Sequence, residues 1–281
     1  VGSTVPLTGS VHVRRAGEEI VLVVDGRIAE VANVTVNQLR STEVVTIGYE
    51  ELSAVELSYD EARIVCRRGG KHWFLEEPLR DLADSAALRS MTSALTDLAL
   101  TSDEFLLPDA IETEALGLDR PRLTLILRNG DERETVLIGS AVPGKPELLY
   151  VARAGEPTVA RARASLLDDL RVSTESLRAD RLVLFDREDV ARVRVTGKGG
   201  VLQLVREEQA WRIAAPESRP ADAAVVHAFL EALQEAYVQR YMCGLELQER
   251  ATVTLLDAEQ NQIAGVVIGQ PGPSGLRYAR R

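Results

Sequence analysis

Three histidines, His12, His72 and His227, are the side chains best suited to proton transfer or metal ligation near neutral pH. Each falls in a different predicted element, and none has a second His or Cys at ligand spacing. They read as solvated or packed side chains. The acidic pairs Glu50-Glu51, Asp168-Asp169 and Glu207-Glu208 read as solvated surface. Glycoside hydrolysis by paired carboxylates calls for an aromatic-lined cleft, and the chain is 4% aromatic. Lys198-Gly199-Gly200 is a hairpin tip with no helix behind it and no phosphate-loop spacing. Gly272-Pro-Ser-Gly275 lacks the strand–turn–helix frame that exposes a nucleophilic serine. No catalytic, cofactor-binding or metal residue is therefore predicted, and no cofactor. Trp73 and Trp211 would be able to stack on a sugar, but a Trp five positions before a Pro at the end of a strand packs beneath the helix that follows.

The elements that position these side chains repeat. Trp211-Arg-Ile-Ala-Ala-Pro216 is followed by Ala221-Asp222 and an amphipathic run to about Arg240. Trp73-Phe-Leu-Glu-Glu-Pro78 is followed by Ala83-Asp84 and an amphipathic run to about Leu100. The two tryptophans are 138 positions apart, and the same offset carries Arg15-Ala-Gly-Glu18 onto Arg153-Ala-Gly-Glu156. A fixed period sets the fold, and one this long is the size of a domain rather than of a solenoid repeat. Gly117-Leu118 matches Gly244-Leu245 at a shorter offset, which predicts a longer loop near Asp103 to Glu114 in the first copy. The motif residues are thus Trp73, Pro78, Asp84 and Gly117 in one copy and Trp211, Pro216, Asp222 and Gly244 in the other. The predicted organisation is the end of a truncated unit at 1–47, a complete unit at 48–185 and a second, C-terminally truncated unit at 186–281. That pattern reads as a fragment of a longer chain.

The net charge of −10 argues against a nucleic-acid surface. No run approaches the roughly 20 apolar residues of a membrane span. Cys66 and Cys243 each correspond to a leucine in the other copy, so both read as buried thiols acting as small hydrophobes, not as a disulfide.

Short strands are expected at 11–15, 20–25, 42–47, 54–58, 63–67 and 72–75, with a helical turn at 35–40. Ala87, Leu88, Met91, Ala94, Leu95 and Leu98 give one apolar helix face; Val225, Val226, Phe229, Leu230, Leu233 and Tyr237 give the other. Asn129-Gly130 marks a hairpin between Leu123–Leu127 and Glu134–Ile138. Strands are also expected at 149–152, 251–256, 263–268 and 277–279, and short helical turns within 158–178. The predicted fold is α+β: tandem units of antiparallel β-meanders, each packed with one main amphipathic helix.

In this order, Trp-x-[Ile/Leu]-x-x-Pro, Ala-Asp, helix, Gly-Leu-Asp-x-Pro, Ile-Gly and Tyr-Val/Ala resemble a bacterial family catalogued as domain of unknown function 4340. The motifs are carried by Trp211, Ile213, Pro216, Ala221, Asp222, Gly117, Leu118, Asp119, Pro121, Ile138, Gly139 and Tyr150. The second copy departs from them, with Glu246-Leu-Gln after Gly244-Leu245. The resemblance implies a membrane-anchored protein with one N-terminal span and an extracytoplasmic repeat region, associated with ABC-transporter components of the gliding-motility auxiliary type. It carries over no catalytic residue. The expected function is a non-enzymatic scaffold or accessory subunit of an ABC-type export system on the periplasmic side of the inner membrane. Its partners would be transporter or envelope proteins. A cell-envelope glycan- or peptide-binding module is the alternative.

Overall fold

The computed structural model describes residues 9–32, 34, 43–96, 114–156, 158–208, 210–242, 244–272 and 276–281. The helical turn expected at 35–40, the long loop expected through 103–113, Cys243 and the 273–275 part of the Gly-Pro-Ser-Gly loop lie outside them.

Val11–Arg14 (β1) and Val21–Val24 (β2) form a two-stranded antiparallel ladder, and Arg27–Ala32 (α1) follows. Ala54–Tyr59 (β3), Ala62–Gly69 (β4), His72–Glu77 (β5) and Asp81–Ala83 (β6) make a meander that leads into Ser85–Thr96 (α2). Next come Leu123–Asn129 (β7), Glu132–Val142 (β8), Lys145–Arg153 (β9), Val159–Arg163 (β10) and Ser165–Leu170 (α3). A second meander, Arg192–Gly197 (β11), Gly200–Glu207 (β12), Ala210–Ala215 (β13) and Arg219–Pro220 (β14), leads into Ala223–Gln234 (α4). Ala251–Leu256 (β15), Gln262–Pro271 (β16) and Arg277–Arg280 (β17) complete the described chain. The larger sheets have the orders β10-β9-β8-β7-β3-β4-β5-β6 and β14-β13-β12-β11-β15-β16-β17. In both, the first strand of the meander lies beside the first strand after the helix.

The protein is thus mostly β-sheet with few helices, and its packing divides it into two compact units. One comprises 1–48, 93–125 and 134–170; the other comprises 49–92, 126–133 and 171–281. In the first, Leu116, Leu118, Val142, Tyr150, Ala152 and Val159 form a buried cluster. Gly117 has φ +66, the left-handed backbone that glycine adopts without a Cβ penalty, and Gly244 has the same conformation at φ +72. Gly139 permits a close approach: a Cβ there would lie 2.3 Å from the Leu116 carbonyl oxygen, to which the Ser140 N–H donates at 2.7 Å. The Ile-Gly motif is therefore a packing requirement.

In the second unit, Val193 of β11, Leu204 of β12, Trp211 of β13, Val253 and Leu255 of β15 and Val266 of β16 pack with Val226, Leu230 and Leu233 of α4. Both helices start as their sequences predict. Asp84 Oδ1 accepts from the N–H groups of Ala86 at 2.7 Å and Ala87 at 3.2 Å. Asp222 Oδ1 accepts from Ala224 at 2.9 Å and Val225 at 3.3 Å, which satisfies first-turn donors that have no intrahelical partner. Leu88, Met91 and Leu95 form the buried stripe of α2. In α4 that stripe is narrower than predicted. Val226, Leu230 and Leu233 are buried, whereas Val225 is 64% exposed. Tyr237 lies beyond the helix, 56% exposed, with the Arg181 guanidinium 4.1 Å over its ring.

One strand expectation needs correction. Residues 43–47 form no strand, although Val44, Val45 and Ile47 are buried. The N–H groups of Thr46 and Ile47 go to a side chain instead, as described below. The helical turns expected within 158–178 are there as α3, but a strand that the sequence did not predict, β10, precedes them, with Val159, Ala160 and Ala162 buried where it pairs with β9. Small alanines at strand positions hide the β signal that branched residues carry elsewhere.

Cys66 is a free, buried thiol on β4. Burial first, and then the nearby Glu76 charge, push its pKa up to about 12. Since the thiolate is the reactive form, a Cys243→Ser variant, which isolates Cys66, is expected to stay unmodified by an aromatic disulfide reagent at pH 8 until the protein is unfolded. The time course of absorbance with and without denaturant checks this.

Candidate functional sites

Trp73 and Trp211 each sit in a frame of charged residues within the second unit. In the first frame Tyr49 opens a single helical turn, Tyr49–Glu51. Arg68 of β4 reaches across it, donating to the Glu50 carbonyl at 2.6 Å and the Tyr49 carbonyl at 3.4 Å. The Arg68 guanidinium lies 5.4 Å from the Tyr49 ring centroid and 5.1 Å from that of Trp73, and the two rings are 6.1 Å apart. The Arg89 guanidinium of α2 lies 4.2 Å from the Tyr49 ring centroid and pairs with Glu50 at 2.6 Å. The Tyr49 hydroxyl donates to the Ser85 carbonyl at 2.9 Å. Tyr49 therefore fills the space above Trp73, which is fully buried.

The second frame has the same hydrogen bonds 138 residues on. Arg206 of β12 donates to the Glu188 carbonyl at 2.5 Å and the Arg187 carbonyl at 3.5 Å. Trp211 is 3% exposed. Here, however, Arg187 stands where Tyr49 stood and His227 where Arg89 stood. A cleft of about 230 Å³ is lined by Arg187, Glu188, Arg206, Trp211, His227 and Leu230. His227 thus lines a cavity. Among the described residues no group of three or more His, Cys, Asp or Glu is placed to hold a metal ion.

Two buried carboxylates were not singled out by the sequence. Glu134 on β8 is 7% exposed and lies in the first unit. It accepts from the Thr46 N–H at 2.9 Å, the Thr46 hydroxyl at 2.5 Å and the Ile47 N–H at 3.2 Å, with Arg153 at 3.6 Å. Burial raises its pKa, but the bonds from Thr46 and Ile47 and the Arg153 charge outweigh that and hold it below the usual carboxylate range. A carboxylate so held is a poor proton donor; it replaces the strand partner that residues 44–47 lack. Its position in the alternation Glu134, Val136, Ile138 is the signal that would have placed it inside. Replacing Glu134 with Ala leaves these N–H groups without their acceptor. The expected cost is about 1–3 kcal/mol, read by urea unfolding, together with faster amide exchange at Thr46 and Ile47.

Asp81 of β6 lies in the second unit, its side chain 8% exposed. Arg178 Nε donates to Oδ2 at 2.7 Å and Arg281 Nε to Oδ1 at 2.5 Å. The Arg178 guanidinium stacks 3.4 Å over the Tyr241 ring. The Tyr241 hydroxyl donates to the Ala179 carbonyl at 2.6 Å, and Arg281 also donates to the carbonyls of Ala179 and Arg181. Nothing in local periodicity marks these residues. The site has the makings of a structural clamp: each charge is paired, and each arginine is spent on protein acceptors.

The motif residues fall where they shape the fold. Pro78 and Pro216 directly follow β5 and β13, both with cis peptide bonds; the two Asp residues cap helices and the two Gly residues turn the backbone left-handed. A family model described as Domain of unknown function (DUF4340) matches residues 73–246. No curated protein and no solved structure matches the chain.

Proposed function

The chain belongs to the DUF4340 family, and we propose that it serves as a tandem-repeat scaffold: a non-enzymatic accessory subunit of an ABC-type export system, acting through protein–protein contacts. In this reading it lies on the periplasmic side of the inner membrane, tethered by an N-terminal span as the resemblance implies. The observation that carries the repeat is a match of register. The pair Val11↔Val24 in β1–β2 corresponds to Leu149↔Ala162 in β9–β10, Arg14↔Val21 to Ala152↔Val159, and Arg27–Ala32 to Ser165–Leu170, all 138 residues on. A module built more than once presents related surfaces more than once, which suits a protein that holds partners in place. The hydrogen-bonded, low-pKa state of Glu134 and the paired state of Asp81 support a structural rather than catalytic use of buried charge. No helix among the described residues is long and apolar enough to cross a membrane. The test is a set of full-length fusions to a periplasm-dependent phosphatase, combined with co-purification of the transporter permease from solubilised membranes. An inactive fusion, or a permease that never co-purifies, would sink this reading.

The cleft over Trp211 favours a second reading, a cell-envelope glycan- or peptide-binding module. A thermal-shift screen against envelope glycans and short peptides separates the two, since a reproducible saturable shift favours the module.

A further inference from the structure

The two tryptophan frames differ in one decisive respect. Their arginines make the same pair of backbone bonds, Arg68 to residues 49 and 50 and Arg206 to residues 187 and 188. In the first frame a tyrosine ring occupies the space that these groups enclose. In the second, the residue at that position is Arg187, whose guanidinium is drawn towards α4 by Gln234 at 2.8 Å and Glu231 at 3.5 Å. The space beside Trp211 is left as a cleft.

We propose that this cleft binds the phenol ring of a tyrosine presented by a partner protein, seated as Tyr49 is seated in the first frame. The chain itself supplies the template. Tyr49 meets one arginine from the sheet, one cationic side chain from the helix and one tryptophan ring. Arg206, His227 and Trp211 are their counterparts. Cations over an aromatic face attract its quadrupole, and offset aromatic pairs add to simple burial. The size is adequate, since a cavity of roughly 150 Å³ holds a benzene ring and this cleft measures about 230 Å³. Ala223 is the counterpart of Ser85, and its carbonyl is the acceptor for the ligand hydroxyl. Tyrosine is also a residue that protein interfaces favour as an anchor.

The proposal names the partner side chain for a protein-binding surface and so rests on the interaction reading above. Its test needs no transporter, so its failure leaves the scaffold reading standing. p-Cresol, the tyrosine side chain alone, is titrated into the protein while the two indole N–H resonances are followed by NMR. The expected result is a saturable shift of the Trp211 signal with the Trp73 signal unmoved, because Tyr49 already fills that site. N-acetyltyrosinamide is expected to act in the same way. Arg187→Tyr plugs the cleft and is expected to weaken the response at least about tenfold, a loss of about 1.4 kcal/mol, while Arg187→Ala retains it. The proposal is overturned by any of four results: no saturable change at Trp211, equal changes at both indoles, an Arg187→Tyr protein that responds as the unaltered one does, or a site that takes p-cresol but refuses N-acetyltyrosinamide. An N-acetylglucosamine oligomer that moves Trp211 where p-cresol does not would place a sugar there and overturn it equally.

Discussion

Trp73→Ala and Trp211→Ala are each expected to destabilise the protein by about 3–5 kcal/mol, the cost of truncating a fully buried aromatic to a methyl group. Trp73 is 0% exposed and Trp211 3%. Trp211 packs with Val226, Leu230 and Leu233 of α4 and with the strands beneath, so its loss opens a cavity between helix and sheet. Trp73 stands beside Tyr49, which is tied to the first residue of α2 through the Ser85 carbonyl. The Trp73 indole N–H has no acceptor among the described residues. Packing rather than hydrogen bonding is therefore what Trp73 contributes, and Trp73→Phe is expected to cost much less than Trp73→Ala. Urea unfolding of the three variants at neutral pH checks the order. A Trp73→Ala protein as stable as the unaltered one would show that the ring is not a core element.

The parts of the fold legible in the sequence are those governed by local periodicity. Leu123, Leu125 and Leu127 alternate into the core with no exposed surface, as a period of two requires. Asn129-Gly130 turns the chain between β7 and β8, with φ +58 at Gly130. Asp84 and Asp222 cap their helices because a short side chain with an acceptor at that position meets free amides. Harder to see were features that depend on distant residues. Asp81 meets Arg178 and Arg281 across gaps of 97 and 200 positions, and Glu134 meets Thr46 across 88. No periodicity encodes such a pairing. The β-branched run before Gly48 looks like a strand, but a carboxylate, not a neighbouring strand, takes the N–H groups of Thr46 and Ile47. β6 and β14 are too short, at three and two residues, to show any alternation.

The tryptophan sites show the same division. Both residues were expected in the core and both are there. The difference between their surroundings is invisible in the motif itself, because it arises at positions 24 residues before each tryptophan, Tyr49 in one case and Arg187 in the other. Aligning the copies brings these positions together, but only the shared arginine–carbonyl bonds reveal that they face the same space.

Asp81→Asn is the second substitution with a large expected effect, and it is also the one that should depend on pH. The side chains of Arg178 and Arg281 are 17% and 12% exposed, so removing the carboxylate charge leaves two poorly hydrated cations without their counterion. Breaking a buried ion pair from one side costs about 3–5 kcal/mol. Burial alone would raise the Asp81 pKa; the bond and charge of Arg281, the Leu82 N–H and Arg178 together outweigh it and lower the value. A carboxylate with a lowered folded-state pKa stabilises the protein fully above its unfolded-state pKa. That stability is lost as pH falls through the unfolded value and on to the folded one. The unaltered protein should therefore lose this contribution on acidification below the ordinary carboxylate range, whereas Asp81→Asn has no such group to protonate. Unfolding free energies of the two proteins should differ most at neutral pH and converge as the solution becomes acidic, with Glu134 adding the same acid-labile contribution to both. A difference that stays constant across the acid range would mean that Asp81 acts by shape and hydrogen bonding, and that its charge contributes nothing to holding Arg178 and Arg281 in place.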